Sequence, residues 1–277
     1  MKEKKLEFVA HGQTYSLQIP AIMGILNCTP DSFLSSSRFN DNMRSTIHQW
    51  IAGGLDILDI GGQSTRPGAI FIDAETEWSR VEPVIQWIRN EYTKQLISID
   101  TFHPEVARRA LAMGVQIIND VSAGQWVEGM WDVLKDNEVP YVLMHAQGHP
   151  QNMQDHPTYS NVLDEVISFF QNKKIEIKKI KPDAQIWIDP GFGFGKLFEH
   201  NQILLQQLSA LSTLNCPILA GVSRKRMIQT ALQVSADDSQ LGSTLAHMMA
   251  VMKGACIIRT HDAMECLTLK KIFNTFN

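Results

Sequence analysis

The segment Asp189-Pro190-Gly191-Phe192-Gly193-Phe194-Gly195-Lys196 sets three alternating glycines between an acid and a cation. Glycines in such a run allow close backbone approach to a flat or anionic ligand. It is neither of the common nucleotide loops: a P-loop needs Gly where Pro190 stands and Ser or Thr where Leu197 stands, and the spacing does not fit a dinucleotide fingerprint. A plain turn is the competing reading, and the acid at its head weighs against it. Asp100, Asn119 and Asp189 each end an apolar run. Carboxylates combined with an amide can satisfy the donors and acceptors along a heterocycle edge. For any one of them alone, capping of the following helix is the alternative. A cationic set, Arg66, Lys196, Arg224, Lys225 and Arg259 with His261, points to an anionic substrate. Lys196 is the member most readily explained as an ordinary loop charge. Asn27 offers Mg²⁺ a carbonyl, with phosphate oxygens and waters to complete the shell, or is a structural amide.

Other constellations carry less. His145, His149, Asp155 and His156 hint at zinc, but Gly148 and Pro150 disfavour the helix that would align the first two, and no closed tetrahedral set results. Ser223 has no base and acid partner in a nucleophile-elbow context. Met144 and Phe194 are candidates for ring contacts, although either alone is more commonly a core side chain. Cys28 lies beside a motif, but a small loop residue is the plainer reading.

What must position these residues is a repeated punctuation. Apolar runs near Ile25, Leu58, Ile97, Ile117, Val142, Trp187, Leu219 and Ile257 stop in turn at Asn27, Gly61-Gly62, Asp100, Asn119-Asp120, His145, Asp189, Ser223-Arg224-Lys225 and Arg259-Thr260-His261. The runs are nearly continuous rather than alternating, as in parallel strands buried on both faces. Strands each followed by a helical stretch predict a (β/α)₈ barrel, whose active site lies at the carboxyl ends of its strands. Residues 6–17 alternate around His11-Gly12-Gln13 and predict a β-hairpin ahead of the barrel, placed to plug its bottom. Predicted strands cover 22–26, 56–60, 96–99, 115–118, 141–144, 185–188, 217–220 and 255–259. Predicted helices cover 43–52, 74–92, 105–113, 162–179 and 263–273. The polar stretch 27–42 is long for a connection between a strand and a helix.

With 277 residues and 44% apolar content, the chain suits one barrel-sized domain, residues 1–20 forming the hairpin and 21–277 the barrel. A net charge of −4 gives no basic footprint for nucleic acid. No apolar run reaches the ~18 residues of a membrane span, and no apolar segment of secretory type follows the charged start. Four cysteines without metal spacing are expected to be reduced thiols in the cytoplasm.

Several of these motifs, in order, resemble the dihydropteroate synthases of the pterin-binding barrel superfamily. The likeness runs from about Ala21 onward: Met23-Gly24-Ile25-Leu26-Asn27, Thr29-Pro30-Asp31-Ser32-Phe33, Gly61-Gly62-Gln63-Ser64-Thr65-Arg66-Pro67-Gly68, Ile99-Asp100-Thr101, Ile118-Asn119-Asp120, Met144-His145, the loop from Asp189 to Lys196, Ser223-Arg224-Lys225 and Arg259-Thr260-His261-Asp262. The Ser-Arg-Lys step separates the synthases from methyltransferases on the same barrel. The resemblance implies condensation of a dihydropterin methyl diphosphate with p-aminobenzoate, Mg²⁺-assisted, giving dihydropteroate and pyrophosphate. It assigns the pterin to Asp100, Asn119, Met144, Asp189, Lys225 and Arg259. The diphosphate falls to Asn27, Arg66, Arg259 and His261, with Asn27 on the metal. The p-aminobenzoate falls to Phe33, Thr65, Pro67, Phe192 and Ser223, where sulfonamides compete. Asp100, Lys225, Arg259 and Arg66 carry the chemistry, and a homodimer is implied, through the late helices around 241–253.

The sequence departs from the family pattern in two places. Gln63 stands where Glu is usual, and Leu34-Ser35-Ser36-Ser37-Arg38 replaces a glycine-containing turn. Both fall on the p-aminobenzoate side. They leave two alternatives beside the synthase: a pterin-binding paralogue without catalysis, and a methyltetrahydrofolate methyltransferase, the latter opposed by the Thr-Pro-Asp-Ser-Phe and Ser-Arg-Lys motifs.

Overall fold

The computed structural model describes residues 5–29, 41–64, 68–149, 152–153 and 155–276. Strands β1 (Lys5–Ala10) and β2 (Gln13–Gln18) pair antiparallel, Ala10 opposite Gln13. The two residues between them, His11 and Gly12, have φ of 51° and 73°. Two successive left-handed residues match the twist of the flanking strands.

Strands β3 (Ala21–Asn27), β4 (Ile57–Gly61), β5 (Leu96–Asp100), β6 (Ile117–Asp120), β7 (Tyr141–Met144), β8 (Ile186–Asp189), β9 (Ile218–Ala220) and β10 (Ala255–Thr260) close into a parallel barrel in sequence order, β10 returning to β3. Every residue of β4 through β9 is buried. That explains why their sequences run apolar without alternation. Helices α1 (Asp41–Ala52), α2 (Ala74–Glu91), α3 (Pro104–Ala112), α4 (Met130–Asp136), α5 (Val162–Ile180), α6 (Phe198–Gln206), α7 (Arg226–Leu232), α8 (Gln240–Met252) and α9 (Ala263–Phe276) surround it. Local chemistry sets their starts. Asp73 accepts from the Thr76 amide at 2.7 Å, Asn161 accepts from Leu163 and Asp164, and Pro104 opens α3, where a missing N–H costs nothing.

The hairpin sits against the amino ends of the strands, as its sequence position suggests. Gln185, just before β8, receives the Val9 N–H and donates to the Val9 carbonyl, both at 2.7 Å. The His11 amide donates to Glu138 O, and the His11 ring bonds Val115 O at 2.7 Å. Phe8 meets Trp187 edge-on. The opposite end of the barrel is thereby left to the strand-end polar residues.

Candidate active site

Parallel register brings the strand ends level. Asn27 pairs with Gly61, Gly61 with Asp100, and Asp100 with Asn119, while Met144 pairs with Asp189. One guanidinium ties three strands there. Arg259 of β10 donates through Nε to Asp59 Oδ2 at 2.6 Å and through Nη2 to Asp100 Oδ2. Asn119 donates to the same Asp59 oxygen at 3.0 Å. The other oxygen, Asp59 Oδ1, is buried with no hydrogen-bond partner. Sequence reading passed over Asp59. Its signal was an acid inside an otherwise apolar strand, which requires a buried partner.

Capping belongs mainly to a neighbour. Asp120 accepts from the Ser122 and Gly124 amides and from the Tyr141 hydroxyl, at 2.7, 2.9 and 2.7 Å. Asn119 is therefore free of that task. Asp189 does both jobs, since Oδ1 accepts from the Gly191 amide at 2.7 Å.

In the glycine loop, the close approach is to protein. A Cβ on Gly191 would lie 1.9 Å from the His145 carbonyl oxygen, and one on Gly195 would lie 2.3 Å from that of Gln147, with φ of 66° and 60°. The loop after β8 packs directly on the loop after β7, and only glycine fits. Lys196 fixes this packing. Its buried Nζ donates to the carbonyls of His145, Gly191 and Phe194 at 3.0–3.1 Å and lies 2.9 Å from His145 Nδ1. It is scaffolding, not a solvated loop charge. Burial pushes Lys196 and His145 well below their ordinary values. Lys225 donates to the Phe192 carbonyl and lies 4.7 Å from the Phe194 ring centre. Phe192 itself is fully buried in the core, so it offers this region a carbonyl while Phe194 supplies the half-buried ring.

The cationic set divides. Arg224 is committed to Asp262, at 2.5 Å through Nη2, and to Asp237 at 3.1 Å. Lys225 and Arg259 remain with the carboxylates. Ser223 Oγ donates toward Asp262 at 3.4 Å and accepts from the His261 amide at 3.1 Å, with His261 Nδ1 3.2 Å away. This is no nucleophile relay, because the serine proton points at an acid already held by Arg224.

The electrostatics follow from burial. Asp100 is pushed up to about 7 by desolvation, with Arg259 opposing and Asp59, Asp120 and Asp189 reinforcing. Asp189 is raised by burial against the pull of Lys225. Lys225 is lowered to about 8 by burial, with Asp189 opposing and Arg259 reinforcing. Burial opposes the charge on Arg259, yet Asp59 and Asp100 hold its pKa above the ordinary value. The arrangement thus presents acceptors, an amide and two cations to one space, as a polar heterocycle bearing an anionic arm requires.

Phe33, Thr65, Arg66 and Pro67 lie outside the described residues. Asn27 is half-buried at the end of β3, and Met144 is buried beside Phe102 and Val121. Among the described residues no group of three or more His, Cys, Asp or Glu could hold a metal ion. A dedicated metal cage is therefore not built from them. A lone amide oxygen such as that of Asn27 does fit Mg²⁺ delivered on a diphosphate, an ion that keeps waters and takes few protein ligands. A cavity of about 170 Å³ opens between the loops after β6 and β7, lined by Ser122, Gln125, Trp126, Ala146, Gly148 and His149.

Known proteins share this organisation. The sequence profile of a family described as pterin binding enzyme matches residues 23–261. Dihydropteroate synthase of Haemophilus influenzae is 38% identical over 272 residues, covering 97% of this chain and 98% of the relative. That of Escherichia coli K12 is 38% identical over 271 residues, covering 96% and 95%. Among solved structures, Yersinia pestis dihydropteroate synthase in a sulfonamide drug complex superposes with a TM-score of 0.90 at 35% identity, covering 98% of each chain. The Xanthomonas albilineans enzyme with 4-aminobenzoic acid gives 0.89 at 36% identity, again over 98% of each. With its closed parallel barrel and near-complete alignment to these enzymes, the chain belongs to the dihydropteroate synthases, transferases of folate biosynthesis within the pterin-binding family.

Proposed function

We propose that the chain condenses (7,8-dihydropterin-6-yl)methyl diphosphate with p-aminobenzoate to give 7,8-dihydropteroate and pyrophosphate, and that the strand-end cluster carries the reaction. The observation that supports this most is the Asp59–Arg259–Asp100 bridge with Asn119, Asp189 and Lys225 beside it. Asp189, Asn119 and Asp100 supply the acceptors and the amide that a pterin edge needs, and Lys225 is a donor for its carbonyl. Met144 and Arg259 pack on the ring. Arg66, Arg259 and His261 bind the diphosphate. Asn27 would hold Mg²⁺ through its carbonyl, the ion adding positive charge where pyrophosphate departs.

The C–O bond breaks toward a methylene cation that the electron-rich pterin stabilises. The carboxylate of Asp100 favours that cation in a water-poor site. p-Aminobenzoate then attacks through a neutral amine, so no strong general base is needed, in keeping with the absence of a serine relay. Phe33, Thr65, Pro67, Phe192 and Ser223 hold the p-aminobenzoate, Phe192 through its backbone, and sulfonamides compete there. The Yersinia pestis and Xanthomonas albilineans complexes support such a pocket.

The protein acts as a homodimer in the cytoplasm on small molecules alone. Exposed Leu241, Leu245, Met249 and Met252 on α8 support the dimer. Four cysteines kept as thiols support a reducing compartment. No described helix is long and apolar enough to cross a membrane. The test is pyrophosphate release by purified protein given both substrates and Mg²⁺. Release that requires p-aminobenzoate, with dihydropteroate formed, bears the reading out. Binding of the pterin diphosphate without turnover would favour a noncatalytic paralogue.

A further inference from the structure

Helix α8 packs on the barrel through a face that is not wholly apolar. Its buried residues are Ser243, Ala246, His247, Ala250 and Val251. Ser243 and His247, four apart, lie one turn from each other on that face. A buried hydroxyl and a buried imidazole need partners. Both find them in the backbone of the segment after β9. His247 Nε2 accepts from the Val222 amide at 3.2 Å, and Ser243 Oγ accepts from the Arg224 amide at 2.9 Å. An amide N–H can only donate, so Nε2 carries no proton. The neutral ring keeps its proton on Nδ1, which lies 3.6 Å from Cys266 Sγ of α9. Ser243 gives its own proton to the Ser239 carbonyl at 2.8 Å. Burial pushes His247 down to about 3, with Lys225 and His261 reinforcing and Asp262 and the Arg259 backbone opposing. The acceptor at Nε2 is therefore kept near neutral pH. Gly242 lets the helix come this close, since a Cβ there would lie 2.4 Å from Leu232 Cδ1 of α7.

The segment held in this way is a strained one. Lys225 donates its amide to the Val222 carbonyl at 3.3 Å, closing a four-residue turn. Arg224, third in that turn, has φ of 53°. Glycine or asparagine is usual at such a position, and an arginine persists there only where its surroundings over-determine it. Here Ser243 holds its amide, Gln229 Nε2 holds its carbonyl at 2.8 Å, and Asp262 holds its guanidinium. We propose that Ser243 and His247 are positioning residues for the reaction, gripping the turn at 222–225 from α8 so that Ser223 and Lys225, on either side of the strained Arg224, are presented to the two substrates. The inference rests on the assignment of Ser223 to p-aminobenzoate and of Lys225 to the pterin made above.

The test uses the full-length protein with Ser243→Ala, His247→Met and His247→Gln, and Val251→Ala as a control for loosened packing on the same helix. Ser243→Ala and His247→Met each leave a buried amide without its acceptor, while His247→Gln keeps an acceptor near the place of Nε2. At a temperature where all are folded, kcat/KM is expected to fall roughly tenfold for both substrates in Ser243→Ala and His247→Met, because the turn carries one contact to each. His247→Gln should recover to within about threefold of the parent. Val251→Ala should lose stability and stay within about twofold in kcat/KM. Amide exchange should accelerate at Val222 in His247→Met and at Arg224 in Ser243→Ala. A kcat/KM unchanged in both, while Lys225→Ala lowers it, overturns the positioning role and leaves the site assignment standing. If Lys225→Ala is silent as well, the site assignment fails and the inference fails with it. A fall in Val251→Ala equal to that in His247→Met, or no recovery in His247→Gln, would also overturn it, by showing that general packing and not the acceptor sets the rate.

Discussion

Glu77 is wholly buried on α2. One carboxylate oxygen accepts from Thr101 Oγ1 at 3.1 Å, and the other has no hydrogen-bond partner. Burial raises its pKa from 4.5 to about 8, the Thr101 bond and Arg80 opposing, Asp100 and Asp120 reinforcing. The unfolded chain therefore releases this proton at lower pH than the folded one. The contribution to stability is fully present below the unfolded value of 4.5 and is lost as pH rises through about 8. Between about pH 6 and about pH 9 the loss is roughly 2–3 kcal/mol, at about 1.4 kcal/mol per pH unit until the folded pKa is passed. Glu77→Gln keeps an acceptor for Thr101 and removes the titration. Thermal and urea unfolding of both proteins across that range should show the variant gaining on the parent as pH rises. The gap should widen by about 5–10 °C in Tm for a chain of this size. Groups remote from Glu77 titrate in both proteins and cancel in the difference. Parallel curves would refute the reasoning, since they would mean that Glu77 ionises in the fold as readily as in water.

The rate should report Asp100 and Lys225. Their pKa values of about 7 and about 8 predict a narrow bell in kcat/KM for the pterin diphosphate, rising as Asp100 ionises and falling as Lys225 loses its proton. A flat profile between about pH 6 and about pH 9 would remove both from the free enzyme's essential groups. Asp100→Asn, Lys225→Ala and Arg259→Ala should each lower pyrophosphate release by ~10²-fold or more, and three unaffected variants would sink the site assignment. Gly191→Ala places a methyl 1.9 Å from the His145 carbonyl at φ 66°. It should cost about 3 kcal/mol or more, and a parental melting temperature would contradict the packing described.

The strands were legible because each is buried on both faces and ends where its polar residue begins. β7 spans the predicted 141–144, and the others shift by a residue or two. Helices α4, α6 and α7 were not read. They are seven to nine residues long, too short for a helical period to stand clear of loop sequence, and unlike the nine-residue α3 none is opened by a Pro and closed by a Gly. In the site, Asp100, Asn119, Asp189, Lys225 and Arg259 announce themselves by position at strand ends. Asp59 does not, because it lies two residues before the end of β4 and makes sense only once Arg259 is seen across the barrel. Lys196 and Arg224 misled for the converse reason. Sequence gives their charge but not the carbonyls or acids that absorb it.

The Arg259 bridge also bears on which ligands the protein can accept. Asp100 already holds a charged donor before anything binds. Its second oxygen, Oδ1, is left to accept from a ligand, so a bound donor would share the carboxylate with the guanidinium. A hydrogen bond to a charged group contributes about 1.5–3 kcal/mol, and a ring without a donor edge would cover that oxygen and gain none of it. Flat aromatic molecules of the right size but without a donor edge are then turned away by an unanswered acceptor and not by shape. Discrimination of this kind acts before any substrate atom has reacted.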